Sequence, residues 1–378
     1  MRTLLHAFST FDLGGSQARF IQLAHAFGRR YRHLVVSMDG RASAGDKLGP
    51  EVDWRLMPIE NRRGGALANR SAFRAALADW APDLMLSYNW GAIEWAVGNL
   101  PRRVPQVHVE DGFGPGEAQG ELARRVWTRR LVLGSGMGLG LGHATVVVPS
   151  QRLAAHAQGW WVPPSRLRYI ANGVPVSPAA QARPPVPAGR PLVIGTVAVL
   201  RPEKRLSRLL RAFAVARQQH ALRLVIVGDG PDLAPRQALA AELGIADAVE
   251  FTGYLAQPQQ RLAGIDLFAL SSDTEQQPMA MLEAMAMGIP VLSTRVGDVP
   301  HMLPAEAAQA ALCEPDDAAY TRTLLDVLAR RAEWPAWSAA GLQHVRRHYA
   351  FDGMVARWGR VFDGQPDSVP AAAAPVTT

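Results

Sequence analysis

Two glutamates eight positions apart, Glu275 and Glu283, sit in an apolar run that contains Pro278 (TEQQPMAMLEAMAMGIPVLSTRVG, residues 274–297). Proline suits the first position of a helix, where its missing N–H would have no intrahelical partner, so a helix is expected to begin at Pro278. Met279, Leu282, Glu283, Ala284, Met285 and Ala286 are good helix formers, and Gly288 followed by Pro290 supplies the stop. The result is a helix of about three turns. Its leading N–H groups carry partial positive charge, which makes an anion site beside Glu275 possible. Carboxylates there can accept hydrogen bonds from sugar hydroxyls. An ordinary amphipathic helix with one exposed Glu and one near its N-terminus has the same spacing, because Glu is common on helices. Spacing alone leaves both readings open.

Positioning such a pair takes a rigid frame. Short apolar runs alternate with helix-length segments in both halves of the chain, which argues for an α/β protein with parallel sheets and crossover helices. Strands are expected at residues 3–8, 33–37, 84–88, 106–109 and 144–148, with helices at 17–29, 69–80, 91–97 and 117–133. Gly14-Gly15-Ser16-Gln17 falls between the first strand and its helix. Two glycines let a phosphate or sugar approach the backbone, and a helix N-terminus follows. Residues 175–191 (PVSPAAQARPPVPAGRP) carry six prolines without periodicity and read as an interdomain linker. Beyond it, strands are expected at 192–199, 223–228, 249–252, 267–271 and 291–294, with helices at 206–219, 232–243, 258–262, 324–330, 335–349 and 354–362. The Ala/Pro/Thr-rich tail from Gln365 reads as disordered.

A chain of 378 residues suggests two domains, and 48% apolar with 19% charged residues is the composition of a soluble globular protein. A single cysteine, Cys313, excludes an intrachain disulfide and any cysteine-based zinc site; it fits a reducing compartment and reads as a buried small hydrophobe. MRTLLHAFSTFDLGG lacks the cleavage pattern of a signal peptide, so a cytoplasmic protein is expected. Residues 131–150 carry no Asp, Glu, Lys or Arg and reach membrane-spanning length, but five glycines among them favour a helix end, a loop and a buried strand at 143–149. Residues 1–180 hold 21 basic and 13 acidic side chains, residues 181–378 hold 19 and 20. The basic first half suits an anionic membrane surface or an anionic acceptor, and equally a solvated surface in an arginine-rich protein. No aromatic-interleaved basic motif points to nucleic acid. The run GSGMGLGLG at 134–142 lacks the dinucleotide spacing of glycines and precedes a strand, so it is no nicotinamide fingerprint. No Asp-x-Asp occurs to hold a divalent metal on a diphosphate.

The order of motifs resembles the retaining, nucleotide-sugar-dependent glycosyltransferases of family 4, the group 1 glycosyl transferases of GT-B fold. The resemblance covers residues 1–362 and rests on YIANGV at 169–174, LVIVGDGPD at 224–232, VEFTGY at 249–254, DLFALSSD at 266–273 and the element at 274–300. It implies two Rossmann-like domains facing an interdomain cleft, with a C-terminal helix returning to the N-terminal domain. The boundaries that follow are an acceptor-side domain at 1–176, a linker at 177–191, a nucleotide-sugar-binding domain at 192–350, a crossover helix at 351–364 and a tail at 365–378.

Residue by residue, the resemblance makes Glu283 the holder of the donor ribose and Glu275 a contact to the donor sugar. Backbone N–H groups near Pro278, Met279 and Ala280 meet the diphosphate, and Gly228, Gly253 and Tyr254 belong to donor-binding signatures. Lys204, one of two lysines beside Lys47, matches the lysine that stabilises the departing diphosphate. Gly14 and Gly15 approach the donor from the opposite domain, and His108 lies against the donor sugar. Glu110 and Asp111 either orient the acceptor or are structural. The sequence departs from the family twice: Val199 stands where an Arg is usual, leaving Arg201 as the second positive charge, and Gln277-Pro278 replaces Phe-Gly. The implied activity is metal-independent, cofactor-free transfer of a hexosyl group, with retention, from a nucleoside diphosphate sugar to a glycan or lipid-linked acceptor in cell-surface glycan, glycolipid or polysaccharide synthesis. It would take place in the cytoplasm or at the inner membrane face. A nucleotide-sugar epimerase of the same architecture and a non-catalytic sugar-binding protein are the competing readings.

Overall fold

The structure is a computed structural model of the chain, described for residues 1–59, 66–101, 103–112, 122–134, 143–187 and 189–365. The start of the helix expected at 117–133, most of the glycine run at 134–142 and the tail from 366 lie outside the described residues. By contact the chain divides into two compact units, one formed by Met1–Ala171 with the chain from Met354 onward, the other by Asn172–Gly353.

The first unit is built on seven parallel strands: β1 (Arg2–Phe8), β2 (Tyr31–Ser37), β3 (Asp53–Leu56), β4 (Leu84–Tyr88), β5 (Gln106–Val109), β6 (Thr145–Val148) and β7 (Leu167–Tyr169). Their order in the sheet is β3-β2-β1-β4-β5-β6-β7. Helices cover both faces of such a sheet, which is why its inner strands read as unbroken apolar runs. Phe73 of helix Ala66–Trp80 stacks on Trp95 of helix Ile93–Gly98 at 4.4 Å. The two edge strands, DWRL and LRY, carry charges and no apolar run, and for that reason the sequence pattern does not reveal them. Helix Phe351–Phe362 places Met354, Trp358, Val361 and Phe362 on one buried stripe. Phe362 packs on Phe27 and Tyr31, and Asp363 accepts hydrogen bonds from Tyr31 (2.8 Å) and Arg30 (2.7 Å).

Beneath that helix end lies a buried imidazole pair. His6 Nε2 is 3.0 Å from His33 Nδ1, and His6 Nδ1 is 3.0 Å from the Tyr88 hydroxyl. Burial, reinforced by the neighbouring His33, holds His6 well below the ordinary histidine range, and burial draws His33 down to about 4 against the opposing charge of Asp53. The unfolded chain takes up these protons near pH ~6.5, the folded pair only at lower pH. This contribution to stability is therefore complete above about pH 6.5 and is lost as the pH falls towards 4, on the order of 3 kcal/mol from His33 alone. Urea unfolding is expected to show a midpoint that drops through this window; a midpoint independent of pH there contradicts the assignment.

The second unit has six parallel strands: β8 (Leu192–Val197), β9 (Leu222–Val227), β10 (Val249–Phe251), β11 (Leu267–Leu270), β12 (Val291–Thr294) and β13 (Leu312–Cys313), in the order β10-β9-β8-β11-β12-β13. Helix Leu206–Arg217 buries Leu209, Leu210 and Phe213 against this sheet, together with Tyr320 and Leu324 of helix Asp317–Ala329. Cys313 is free and buried. The proline-rich stretch is no free tether but a strap on this unit. Arg183 donates to the carbonyls of Met287 (3.3 Å) and Ala263 (3.0 Å), the Arg183 N–H donates to Ser338 Oγ (2.7 Å), and Arg346 donates to the Ala180 carbonyl (2.6 Å). Proline fixes the backbone without needing ladder bonds, so the lack of periodicity in the sequence conceals a packed segment. Among the described residues no helix is long and apolar enough to cross a membrane.

Candidate active site

In an open parallel sheet, ligands settle outside the carboxyl ends of the strands where the strand order reverses. In the second unit that point lies between the neighbouring strands β8 and β11. The loop after β8 ends in a turn at Pro202–Lys204, and the loop after β11 carries Ser271-Ser272-Asp273-Thr274-Glu275. The two loops meet: Lys204 Nζ lies 2.7 Å from Glu275 Oε1, which also accepts from Ser272 Oγ at 2.7 Å. Lys204 and Glu275 keep 22% and 10% of their side-chain surface exposed, so the pair is accessible without being loose.

The frame around the pair is rigid. Ser271 Oγ donates to the Lys204 carbonyl at 2.9 Å, and the Asp273 N–H donates to the Glu203 carbonyl at 2.8 Å. Arg208, almost fully buried, donates to the Ser271 and Pro315 carbonyls, both at 2.7 Å, and pairs with Asp273 and Asp317. Gly297 has φ +54, and a Cβ there would stand 2.1 Å from the Glu275 carbonyl oxygen, so only glycine lets the 295–298 turn close under Glu275.

Glu275 leads into helix Met279–Ala286, one residue later than expected: Pro278 is extended and serves as the N-cap. The first helical bond runs from the Met281 N–H to the Pro278 carbonyl at 3.2 Å, which leaves the amides of Met279 and Ala280 ahead of the ladder. Gln277 does not face outward. Its Oε1 accepts from the Asn172 N–H at 2.9 Å and its Nε2 donates to the Asn172 carbonyl at 3.4 Å. Glu283 sits a turn into the helix and lines a cavity of about 690 Å³ together with Gln259, Met287 and the strap residues Pro175, Val176, Ser177, Ala179 and Ala180. Burial pushes its carboxyl above the ordinary range, opposed by a hydrogen bond from Gln259.

Along the same rim, Gly228 (φ +132) pairs with Gly253 across an isolated bridge, and a Cβ on Gly228 would overlap the Ala198 carbonyl oxygen at 1.8 Å. A Cβ on Gly230 would likewise collide with the Leu200 carbonyl oxygen, at 2.4 Å. These glycines let the loops after β8 and β9 stack. Tyr254 is 77% exposed. Arg201 is exposed and forms no ion pair with a described residue, and Val199 is exposed beside it.

The expected first-unit residues form a separate set. Gly14 is extended and caps helix Gly15–Phe27, so its conformation does not demand glycine, but the space beside a Cβ at Gly15 is open. His108 is completely buried: Nδ1 is 2.9 Å from Ser87 Oγ and Nε2 is 3.4 Å from Glu110 Oε2. Glu110 is completely buried as well, with Arg129 Nη2 at 3.3 Å. A buried carboxylate needs such a partner, and Arg129 supplies it. Asp111 is gripped by both terminal nitrogens of Arg19, and its N–H donates to Asn89 Oδ1 at 2.7 Å. Asn89 itself has φ +56, a conformation that asparagine tolerates better than most residues. The sequence reading missed Asn89, Arg19, Arg129 and Arg208. Only the asparagine before a Trp-Gly pair carried a local signal.

Residues 13–178 match the model of Glycosyltransferase Family 4, and residues 180–341 match the model of Glycosyl transferases group 1. The chain belongs to the group 1 glycosyltransferases of GT-B fold. Over 249 residues it is 28% identical to D-inositol 3-phosphate glycosyltransferase of Corynebacterium jeikeium, covering 58% of this chain and 57% of that protein. Over 100 residues it is 37% identical to N-acetyl-alpha-D-glucosaminyl L-malate synthase of Bacillus anthracis, covering 26% of each. The matched stretches thus span from about a quarter to somewhat over half the length of these curated relatives. The solved structure of Anabaena HepE in complex with UDP superposes with a TM-score of 0.75 at 16% identity, over 96% of this chain and 100% of that one. Sucrose-phosphate synthase from Thermosynechococcus elongatus gives 0.74 at 17% identity, over 96% and 99%. At these identities the likeness is one of fold.

Proposed function

We propose that the protein is a retaining glycosyltransferase that moves a hexosyl group from a nucleoside diphosphate sugar to a hydroxyl of a glycan or lipid-linked acceptor at the inner membrane face. The Lys204–Glu275 pair, held at the strand-order reversal of the second sheet and followed by a helix N-terminus and Glu283, carries this reading. The amides of Met279 and Ala280 point a positive helix end at the donor diphosphate. Glu283 takes the ribose hydroxyls at the mouth of its cavity, and Glu275 takes hydroxyls of the sugar. As the bond from the anomeric carbon to the diphosphate breaks, negative charge grows on the leaving oxygens, where Lys204, with Arg201 free to join it, stabilises the charge. The acceptor oxygen bonds to that carbon, and its proton leaves with the diphosphate. Gly14, Gly15 and His108 of the first unit are kept as proposed donor residues, His108 acting from its buried position. Two solved structures of one neighbour support a uridine nucleotide: Anabaena HepE in complex with UDP and in complex with UDP-glucose.

The test is incubation with a panel of nucleoside diphosphate sugars and with soluble and lipid-linked acceptors. The expected result is stoichiometric release of nucleoside diphosphate and a glycosylated product of unchanged anomeric configuration. Interconversion of the donor to an epimer in the absence of acceptor would instead identify an epimerase, and binding without turnover of any kind would identify a sugar-binding protein.

A further inference from the structure

Helix Ala123–Val132 (ARRVWTRRLV) of the first unit turns an apolar stripe outward. Arg129 and Val132 on its inner side are buried, and Arg129 lies over Trp160 at 4.6 Å. With 3.6 residues per turn, Ala123, Trp127 and Leu131 line up on the opposite side, Arg130 flanking them on one edge and Arg124 on the other. Trp127 is 51% exposed and Leu131 47%. Trp161 extends the stripe, edge-on to Trp127 at 5.5 Å, while Arg130 is braced over both rings and donates to the Gly159 carbonyl at 2.9 Å.

We infer that this helix docks the first unit on an anionic lipid surface, with Trp127 and Leu131 entering the headgroup boundary and Arg124 and Arg130 meeting lipid phosphates. An exposed indole beside a leucine, flanked by cations, matches the chemistry of the bilayer interface, where an amphipathic ring sits at headgroup level. The helix carries no carboxylate and no carboxamide. A saccharide platform needs such acceptors around its aromatic face, and a protein partner of opposite charge would not call for the apolar stripe. The inference deepens the acceptor half of the proposed function, because a lipid-linked acceptor would be presented at that surface. Its test uses no donor sugar, so its failure leaves the transferase reading standing.

The experiment is flotation of the full chain with vesicles of pure phosphatidylcholine and of an equal mixture of phosphatidylcholine and phosphatidylglycerol, at low and high salt. Binding is expected only to the anionic vesicles and is expected to weaken with salt. Loss of surface arginines should lower the partition coefficient about fivefold each, so Arg124→Gln is one informative variant. Leu131→Ser, which removes an exposed aliphatic side chain, should lower it about tenfold. Trp127→Ser should lower it further with an unchanged far-ultraviolet circular dichroism spectrum. Equal flotation with neutral vesicles, no flotation at low salt, or variants that partition like the wild type would overturn the proposal. So would a self-associated wild type that L131S converts to monomer without any change in lipid binding.

Discussion

Lys204→Ala is expected to lower turnover by about 10²–10³ while the protein stays folded. Removing one preorganised group that faces developing negative charge typically costs that factor. The lysine is partly exposed, so its loss opens no cavity in the core, and Glu275 keeps the hydrogen bond from Ser272 Oγ. The empty lysine position also leaves intact the backbone bond that Ser271 Oγ makes to residue 204. The effect should therefore fall on kcat more than on KM for the donor, since the charge that Lys204 meets is greatest in the transition state. Initial rates of nucleoside diphosphate release over a range of donor concentrations separate the two. Wild-type kcat in this variant contradicts the role given to Lys204.

Glu283→Gln is expected to act on binding. Hydrogen bonds to a charged acceptor contribute about 1.5–3 kcal/mol each, and exchanging the carboxylate for an isosteric amide should weaken donor affinity by roughly tenfold to a hundredfold. Ribose recognition does not depend on the sugar, so free nucleoside diphosphate should lose the same factor as the complete donor. Stability should not fall, because burial already disfavours the charge on Glu283 and a neutral side chain removes that penalty. A split in which donor affinity falls while free nucleoside diphosphate binds as before would move Glu283 from the ribose to the sugar.

Much of the second unit could be read directly from the chain, for a physical reason. Its inner strands are buried on both faces and its glycines sit where a side chain would collide, so Gly228, Gly230 and Gly297 mark tight loops that the sequence pattern also marks. The spacing of Glu275 and Glu283 was legible as a helix with one carboxylate ahead of it and one on it, but not the fact that Lys204 closes on Glu275, a contact across 71 residues. Long-range pairs of that kind depend on strand order, which periodicity does not encode. The same holds for Arg208, a charged residue in a helix that reads as surface and is buried because two carbonyls and two carboxylates converge on it. In the first unit, the sequence leaves Glu110 open between orienting an acceptor and a structural place, and the structure adds its buried pairing with Arg129, a contact that periodicity does not encode. The proline-rich strap shows the converse: absence of periodicity is not absence of packing.

The central claim is that the second unit binds a nucleoside diphosphate between the Lys204–Glu275 pair and the Glu283 cavity. Calorimetric titration of uridine diphosphate and guanosine diphosphate into the wild type and into E283Q tests it most directly. One nucleotide is expected to bind the wild type at a single site and to bind E283Q at least about tenfold more weakly. Failure of both nucleotides to bind the folded wild-type protein, or equal affinity in the two proteins, would contradict it.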